Sequence, residues 1–455
     1  MFSKILVANR GEIALRIIRA CKELGIRSVG VYSEADRDCL HLALADERIC
    51  IGPAASIKSY LNMDNILNAA KETESDAIHP GYGYLAENSE FARRCSQEGI
   101  TFIGPTPENI RLAGDKIAAK QIMAEAGVPV IPSSPGGVDD VKQAIRLSRE
   151  IGYPVMIKAS GGGGGRGIRI CKDEDMIREE FPEAKMEAHA AFGNDQLYIE
   201  KFIEEPRHIE FQILADRFGS VIHLGERECT IQRRYQKLIE EAPSPMLTPG
   251  LRDAMGKAAI TAAKAVDYFN AGTIEFLVDK NGQFYFMEIN SRIQVEHPVT
   301  EFVTGIDLVK AQIRLASGER LNFASEIIKQ RGCAIECRIN AEDPDRNFMP
   351  SPGKIERFQV PGGFGVRLDT HLYQGYEIPI YYDSLIGKLI SYDLTRDGAI
   401  QIMKRALSEI KIEPIKTTIP LHIKIMDDPL FQSGTFSTNF IERYFPQSDD
   451  EDDEE

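Results

Sequence analysis

The chemistry of this sequence starts from two glutamates on either side of a turn. In the stretch from Gly272-Thr-Ile-Glu275 to Met287-Glu288-Ile-Asn290, Asn281-Gly282 is a strong two-residue hairpin signal. Pairing Lys280 with Gln283 and counting outward sets Glu275 directly across from Glu288. The same register puts Ile274, Phe276 and Val278 on one face with Tyr285, Met287 and Ile289, and the two acids on the other. Carboxylates about 5 Å apart repel by about 3 kcal/mol at an effective dielectric near 20. Basic neighbours or solvent can relieve that repulsion. With Asn290 facing the same way, a hard oxygen site for Mg2+ or Mn2+ relieves it as well, and this is the reading carried forward.

Polar residues run straight on from that strand end in Asn290-Ser-Arg292-Ile-Gln294-Val-Glu296-His297-Pro298. Arg292 offers a planar fork suited to a small oxyanion such as carbonate or phosphate. Glu296 has the chemistry of a general base if held against that anion. Arg233, Arg234 and Lys237 form a second basic cluster beside Glu240 and Glu241. Taken singly, each reads as a surface ion pair worth about 0–1 kcal/mol. His208, taken alone, reads as a satisfied structural histidine.

The other chemical signal is Lys158-Ala-Ser followed by five consecutive glycines, Gly161 to Gly165, then Arg166-Gly167. Each glycine gives up about 0.5–1 kcal/mol relative to alanine in regular structure. A loose surface hairpin fits a bare glycine run as well as a phosphate cradle does; Lys158 and Arg166 at its ends favour an anion. No Gly-Lys-Ser/Thr ending marks a Walker loop. Gly162, Gly164 and Gly167 keep the dinucleotide-binding spacing, but they lead into a strand rather than a helix. The best reading is a phosphate-covering loop between strands 153–158 and 168–171. Beside a metal site it implies Mg-ATP.

These groups need a scaffold, and the pattern supplies one. Residues 4–8 read as a strand, Asn9 and Glu12 as a capping box, and Ile13, Ile17, Ala20 and Leu24 as the apolar stripe of a helix closed by Gly25. A strand over 28–32 completes a βαβ unit. Further strands near 77–78 and 101–103 alternate with helices, the pattern of a parallel sheet covered on both faces. The glycine-rich turn His79-Pro-Gly-Tyr-Gly-Tyr84 follows a strand end, where open α/β sheets hold ligands. Strands over 204–290 read as antiparallel, so the class shifts from α/β to α+β. Short strands, turns and a helix near 396–410 follow Cys333.

The length of 455 residues suggests about three domains. We expect an N-terminal α/β domain over 1–114, a nucleotide domain over 115–332 with a small lid at about 131–203, a C-terminal domain over 333–446, and an acidic tail over 447–455. Of the net charge of −15, seven units lie in Asp449 to Glu455, leaving −8 on the body. That balance argues against nucleic-acid binding. There is no membrane-length apolar run, and eight cysteines without a CxxC pair fit a reducing, cytoplasmic setting.

Taken together, these motifs resemble the biotin carboxylases, enzymes of the ATP-grasp superfamily. The matching segments are Ala8-Asn-Arg-Gly-Glu-Ile-Ala14, His79 to Gly83, Lys158 to Gly167, Gln232-Arg-Arg, Lys237, Glu288 to Pro298, Glu336-Cys-Arg-Ile-Asn-Ala-Glu-Asp-Pro344 and Tyr382-Asp-Ser-Leu-Ile-Gly-Lys388. The match covers nearly everything except the acidic tail. The resemblance implies a Rossmann-like pre-ATP-grasp domain, a central ATP-grasp domain with a glycine-loop lid, and a mixed β/α C-terminal domain. It implies that Lys116, Lys158 and the backbone of Gly164 and Gly165 hold ATP phosphates. Glu200, Lys201, Phe202 and Ile203 would line the adenine, and His208 would reach the ribose. Gln232 and Tyr235 would neighbour the nucleotide, and Glu275, Glu288 and Asn290 would carry Mg2+ or Mn2+. Lys237, Arg292 and the backbone of Val295 would bind bicarbonate, and Gln294, Tyr82 and Arg338 would complete the site for bicarbonate and biotin. Glu296 would be the base, and Arg338 would stabilise the ureido enolate. Many family members have histidine where this chain has Tyr235, and a phenol is not cationic near neutral pH.

The implied reaction is carboxylation of biotin on a separate biotin carboxyl carrier protein, from bicarbonate and ATP through carboxyphosphate. The only Met-Lys, Met403-Lys404, sits in a helical run rather than a biotinylation turn, so the carrier and the carboxyltransferase are expected on other chains. The expected setting is acetyl-CoA carboxylase. The alternative is the biotin-carboxylase subunit of a two-subunit pyruvate carboxylase, and the family suggests a homodimer. Another ATP-grasp ligase, of purine or carbamoyl-phosphate type, would share the Mg-ATP site without Arg292, Glu296 and Arg338. A non-catalytic nucleotide sensor would have a broken metal or base position, and none of these positions is broken.

Overall fold

In the computed structural model, residues 1–159, 168–192, 195–322 and 329–445 are described. Strand β1 (Lys4–Val7) leads into helix α1 (Gly11–Glu23) and strand β2 (Arg27–Tyr32), followed by β3 (Glu47–Cys50), β4 (Ala77–His79) and β5 (Thr101–Phe102). All five strands are parallel, in the order β3-β2-β1-β4-β5. Alternation along β1 explains the two covered faces. Ile5 and Val7 pack into one buried cluster with Ile13 and Ile17, whereas Leu6 and Ala8 join Val29, Val31 and Ile78 in another. The strand order reverses between β1 and β4, and the turn after β4 opens at that switch point.

The expected capping box at Asn9 and Glu12 does not form. Arg10 is the N-cap and has no side-chain cap. Asn9 Nδ2 instead donates to the carbonyls of Pro80 and Tyr82, both at 2.7 Å, and Glu12 turns toward Lys388. Tertiary partners for both polar groups outweigh a local cap.

Next comes a small antiparallel sheet of β6 (Val155–Ala159), β7 (Ile168–Cys171) and β8 (Leu197–Lys201), with β6 central, beside helices Val141–Ile151 and Glu174–Phe192. Lys158 pairs with Ile168 across the glycine run, so the run joins two strands, as expected. The run itself, with Gly164 and Gly165, lies outside the described residues.

An eight-stranded antiparallel sheet carries the rest of the chemistry. Its strands are β9 (Arg207–Ala215), β10 (Val221–Arg233), β11 (Gln236–Ala242), β12 (Asn270–Val278), β13 (Phe284–Asn290), β14 (Cys333–Asn340), Val366–Thr370 and Leu385–Asp393. The order is β13-β12-β9-β10-β11-β14, then Leu385–Asp393 and Val366–Thr370. The sheet therefore runs on through β11 and β14 past residue 333. Ile335, Cys337 and Ile339 of β14 face a large apolar cluster with Ile239 and Leu389, which also places Cys333 and Cys337 as the small apolar residues expected. Glu336 and Arg338, on the opposite side, share a face with Glu240 and Lys388, their register partners. Helix His297–Thr304 covers one end of that face through Val299 and Val303 on Ala242, Ala334 and Ile390. No described helix is long and apolar enough to cross a membrane.

Candidate active site

Glu275 and Glu288 are register partners, as the turn signal predicts, but by a different route. The turn closes between Asp279 and Gln283, whose carbonyl accepts from Asp279 N at 2.8 Å, with Gly282 at φ 78°. This three-residue loop shifts the register by one, so Val278 pairs with Phe284 and Phe276 with Phe286. A bulge at Met287 shifts it back before Glu288. The expected face is corrected accordingly. Phe286, not Tyr285 or Met287, joins Ile274, Phe276, Val278 and Ile289 in the core, and Met287 lines the cleft beside Glu288.

That cleft measures about 2970 Å3 and is walled by the turn after β4, the small sheet, the charged face of the large sheet and the start of helix Lys116–Glu125. Drug-sized pockets are about 300–1,000 Å3, so this one has room for more than one substrate.

At its centre stands Lys237. Its Nζ donates to Glu210 Oε2 at 2.6 Å, Glu275 Oε1 at 3.0 Å and Glu296 Oε1 at 2.8 Å. Glu275 also accepts from Asn290 Nδ2 at 2.8 Å and Gln294 Nε2 at 3.1 Å, and it pairs with His208 Nε2 at 2.8 Å. Burial opposes ionisation of Glu275, but Lys237 and His208 outweigh it and hold the carboxyl well below the usual range. Basic neighbours, Lys237 and His208, thus stand against Glu275 at the position where the turn spacing predicts a metal. Glu288 meets the Lys116 ammonium at 2.8 Å.

Glu296 is fully buried and clamped by two cations: Lys237 on Oε1 and Arg338 Nη2 on Oε2 at 2.9 Å. Burial works against its charge, yet Lys237 and Arg338 prevail and hold it well below the carboxylate range. Arg338 Nε donates to Glu240 at 2.6 Å. Arg292 spreads its fork over Glu87 (2.9 Å), Gln294 (2.7 Å) and Asn290 (3.2 Å) at the cleft wall. Val295 turns its carbonyl to Lys388 Nζ at 2.7 Å, and the Tyr82 hydroxyl donates to Glu12.

The other end of the cleft is cationic. Lys120 and Lys158 both pair with Glu200, which is fully buried, and Lys116 lies one helical turn before Lys120. Three ammoniums meet two carboxylates there, Lys120 and Lys158 on Glu200 and Lys116 on Glu288, a surplus of positive charge suited to polyphosphate. Phe202 and Ile203 line the same wall. Lys201 lines it too, with its Nζ committed to the carbonyls of Gly152 (2.9 Å) and Tyr153 (2.7 Å). Gln232 and Tyr235 belong to the β10–β11 hairpin, which turns through Arg234 (φ 48°) and Tyr235 (φ 65°). Positive φ at two bulky residues is uncommon and favours functional sites.

Three family models cover nearly all of this architecture: "Biotin carboxylase, N-terminal domain" over residues 1–110, "Carbamoyl-phosphate synthase L chain, ATP binding domain" over 115–324, and "Biotin carboxylase C-terminal domain" over 336–443. The chain belongs to the biotin carboxylase family. Among curated relatives, biotin carboxylase of Nostoc sp. is 59% identical over 97% of this chain and 99% of its own length, and biotin carboxylase 1 of Bacillus subtilis is 57% identical over 98% and 99%. A pyruvate carboxylase subunit of Methanothermobacter thermautotrophicus is 56% identical over 98% and 90%. In a solved structure, the biotin carboxylase domain dimer of Hydrogenobacter thermophilus 2-oxoglutarate carboxylase is in complex with MgADP, ADP and bicarbonate. It superposes with a TM-score of 0.91 at 54% identity, covering 98% of both chains. The biotin carboxylase–β,γ-ATP complex from Campylobacter jejuni gives 0.92 at 50% identity, over 97% and 99%.

Several residues of this biotin carboxylase cleft escaped reading by motif chemistry. Glu210 and the fully buried Arg227 fix Lys237 from behind, through Lys237 to Glu210 and an Arg227–Glu210 pair. Period-two alternation after His208 could have flagged Glu210, and the i,i+4 spacing from Lys116 could have flagged Lys120. Glu87 carries no local signal, and the cap spacing of Glu12 pointed to the wrong partner: Glu87 reaches Arg292 from the turn after β4, and Glu12 reaches Lys388 from α1.

Proposed function

We propose that this cleft carboxylates biotin with bicarbonate in an ATP-dependent reaction, with Glu296 as the proton acceptor. The observation that carries this reading is the buried Glu296 carboxylate held between Lys237 and Arg338, both of which line one cleft with Lys116, Lys120 and Lys158. Lys116 and Lys158 take the ATP phosphates, Phe202, Ile203 and the backbone at Lys201 take the base, and His208, Gln232 and Tyr235 flank the nucleotide. Glu275, Glu288 and Asn290 present hard oxygen donors on adjacent strand positions at the cleft wall, a set that fits Mg2+. Bound there, the ion would neutralise phosphate charge.

Bicarbonate bridges Lys237 and Arg292, and its proton passes to Glu296. The resulting anion attacks the γ-phosphorus and displaces ADP, giving carboxyphosphate. Carboxyphosphate separates into CO2 and phosphate. The phosphate takes the N1′ proton of biotin, and N1′ bonds to CO2. Arg338 faces the oxygen of the ureido group as charge grows on it.

The clamp on Glu296 makes proton removal depend on the substrates. With both cations on its oxygens the carboxylate is a weak base. An anion that draws Lys237 and a ureido oxygen that draws Arg338 leave Glu296 with fewer donors and greater basicity. ATP turnover without biotin is thereby suppressed. The test is ADP release with and without free biotin: wild-type enzyme should respond, and Glu296→Gln should lose at least about 100-fold of biotin-dependent turnover with ATP binding retained. Wild-type turnover in that variant would sink the assignment. A purine-type ligase would not respond to biotin.

The domain limits 1–114, 115–332 and 333–446 remain our division, supported by the family matches at 1–110, 115–324 and 336–443. The carrier and transferase are other chains in this reading. It draws support from relatives named as subunits, one of pyruvate carboxylase and the small one of 2-oxoglutarate carboxylase, of which this chain covers 90% and 94%. A homodimer follows the dimer of the Hydrogenobacter domain. Acetyl-CoA is the acceptor we adopt; recovery of a pyruvate- or 2-oxoglutarate-type transferase on pull-down from native extract would replace it.

A further inference from the structure

Strands β11 and β14 bring together two glutamates that the carboxylation reading leaves unused. Glu240 and Glu336 are direct cross-strand partners, and both are fully buried. Of their four oxygens, Glu240 Oε1 accepts from Arg338 Nε at 2.6 Å. Among the described residues, Glu240 Oε2 and both oxygens of Glu336 have no hydrogen-bond partner.

Apart from Arg338 Nε, the charged and titratable groups around the pair are committed elsewhere. Arg338 places Nη2 on Glu296 at 2.9 Å, and Lys237 serves Glu210, Glu275 and Glu296. Lys388, from the neighbouring strand, donates to the Val295 carbonyl at 2.7 Å and lies 3.1 Å from Glu12. Tyr82 donates to Glu12, Cys229 on β10 lies 3.7 Å from Glu296, and His297 on the covering helix uses Nδ1 on the Gln294 carbonyl at 2.8 Å. Two ionised carboxylates buried side by side with one donor, on Glu240 alone, are unfavourable, and paired acids of this kind retain a proton. Burial pushes the Glu240 carboxyl up to about 7 and the Glu336 carboxyl well above the usual range.

We propose that Glu240 and Glu336 hold one proton between them, carried on Glu336, and that the remaining carboxylate of Glu240 positions the Arg338 guanidinium toward the ureido oxygen of biotin. One negative charge orients Arg338 and leaves its positive field available to the growing oxyanion. A second would draw the guanidinium back toward the sheet. The positioning role rests on the placement of biotin beside Arg338; the shared proton does not.

Infrared spectroscopy of wild-type enzyme at about neutral pH should show a protonated-carboxyl C=O band that Glu336→Gln removes. In assays with free biotin, wild-type kcat should fall on the alkaline side as the pair loses its proton, and Glu336→Gln should lack that limb. Glu240→Gln should lower kcat at least about tenfold with the KM for ATP within about twofold, the split expected when an interaction acts only in the transition state. Should the variants not fold, a pH titration of the wild-type band decides alone. A band-less wild-type enzyme with full biotin-stimulated turnover overturns the pair. An enzyme that keeps the band but shows no biotin-stimulated turnover overturns the positioning role along with the carboxylation reading. An alkaline limb unchanged in Glu336→Gln overturns the positioning role alone.

Discussion

Replacing Lys237 with methionine keeps most of the side chain's length and removes its charge, which isolates the ammonium's contribution. In the wild type that ammonium lies 2.6, 3.0 and 2.8 Å from Glu210, Glu275 and Glu296. Each contact between unit charges about 4 Å apart is worth about 4 kcal/mol at an effective dielectric near 20, so the gross attraction is about 12 kcal/mol. Desolvation of the buried ammonium offsets most of that, and removing one member of a buried ion cluster measures about 3–5 kcal/mol. The pH dependence gives the sharper check. In the wild type, Glu275 and Glu296 sit well below their ordinary value. Their contribution is therefore complete above the unfolded carboxylate pKa, and is lost only as pH falls below it. Between about pH 8 and about pH 6 it is constant. Without Lys237, Glu210, Glu275 and Glu296 lose the cation they share while burial and their mutual repulsion remain, so the cluster takes up a proton and the variant regains stability as pH falls through that interval. Urea unfolding of both proteins at the two pH values should show a loss of about 3–5 kcal/mol near pH 8 that shrinks near pH 6. A loss under about 1 kcal/mol, the range of an exposed ion pair, or one equal at both pH values, would refute the view that Lys237 neutralises these acids.

Lys388→Met should destabilise by about 3 kcal/mol or more, because it leaves buried Glu12 without its cation, and should lower kcat through the released Val295 carbonyl; an unchanged thermal midpoint and kcat would contradict both. Changing the hairpin tip to Asn-Gly, as Arg234→Asn with Tyr235→Gly, relieves two positive φ angles and should raise stability by about 1 kcal/mol while raising the KM for ATP. A lower thermal midpoint would show that the tip is not strained. The loss of biotin-dependent turnover in Glu296→Gln and the alkaline limb removed by Glu336→Gln complete the set.

What the sequence determined by itself was whatever depends on short spacing. The βαβ start, the Glu275–Glu288 pair and the ordered motif strings were legible because strand periodicity and turn chemistry act over a few residues. Even there the pairing was reached through two compensating shifts, a longer turn and a bulge at Met287, which repositioned Tyr285, Phe286 and Met287. Asn9 and Glu12 show the opposite case: their spacing fits a cap, and partners 71 residues away and across the fold at Lys388 took both groups. Only the tertiary structure decided which cation answers which acid. Lys237 and Glu296 are 59 residues apart and Arg338 and Glu240 are 98 apart, and no periodicity spans such gaps. Strand order in the large sheet makes them neighbours. The low dielectric of its buried face then turns the singly weak ion pairs of the sequence into one connected buried network around Lys237 and Arg338. The same burial makes Glu240 and Glu336, beside a basic cluster and inside a motif when read along the chain, into a pair whose full ionisation is opposed near neutral pH.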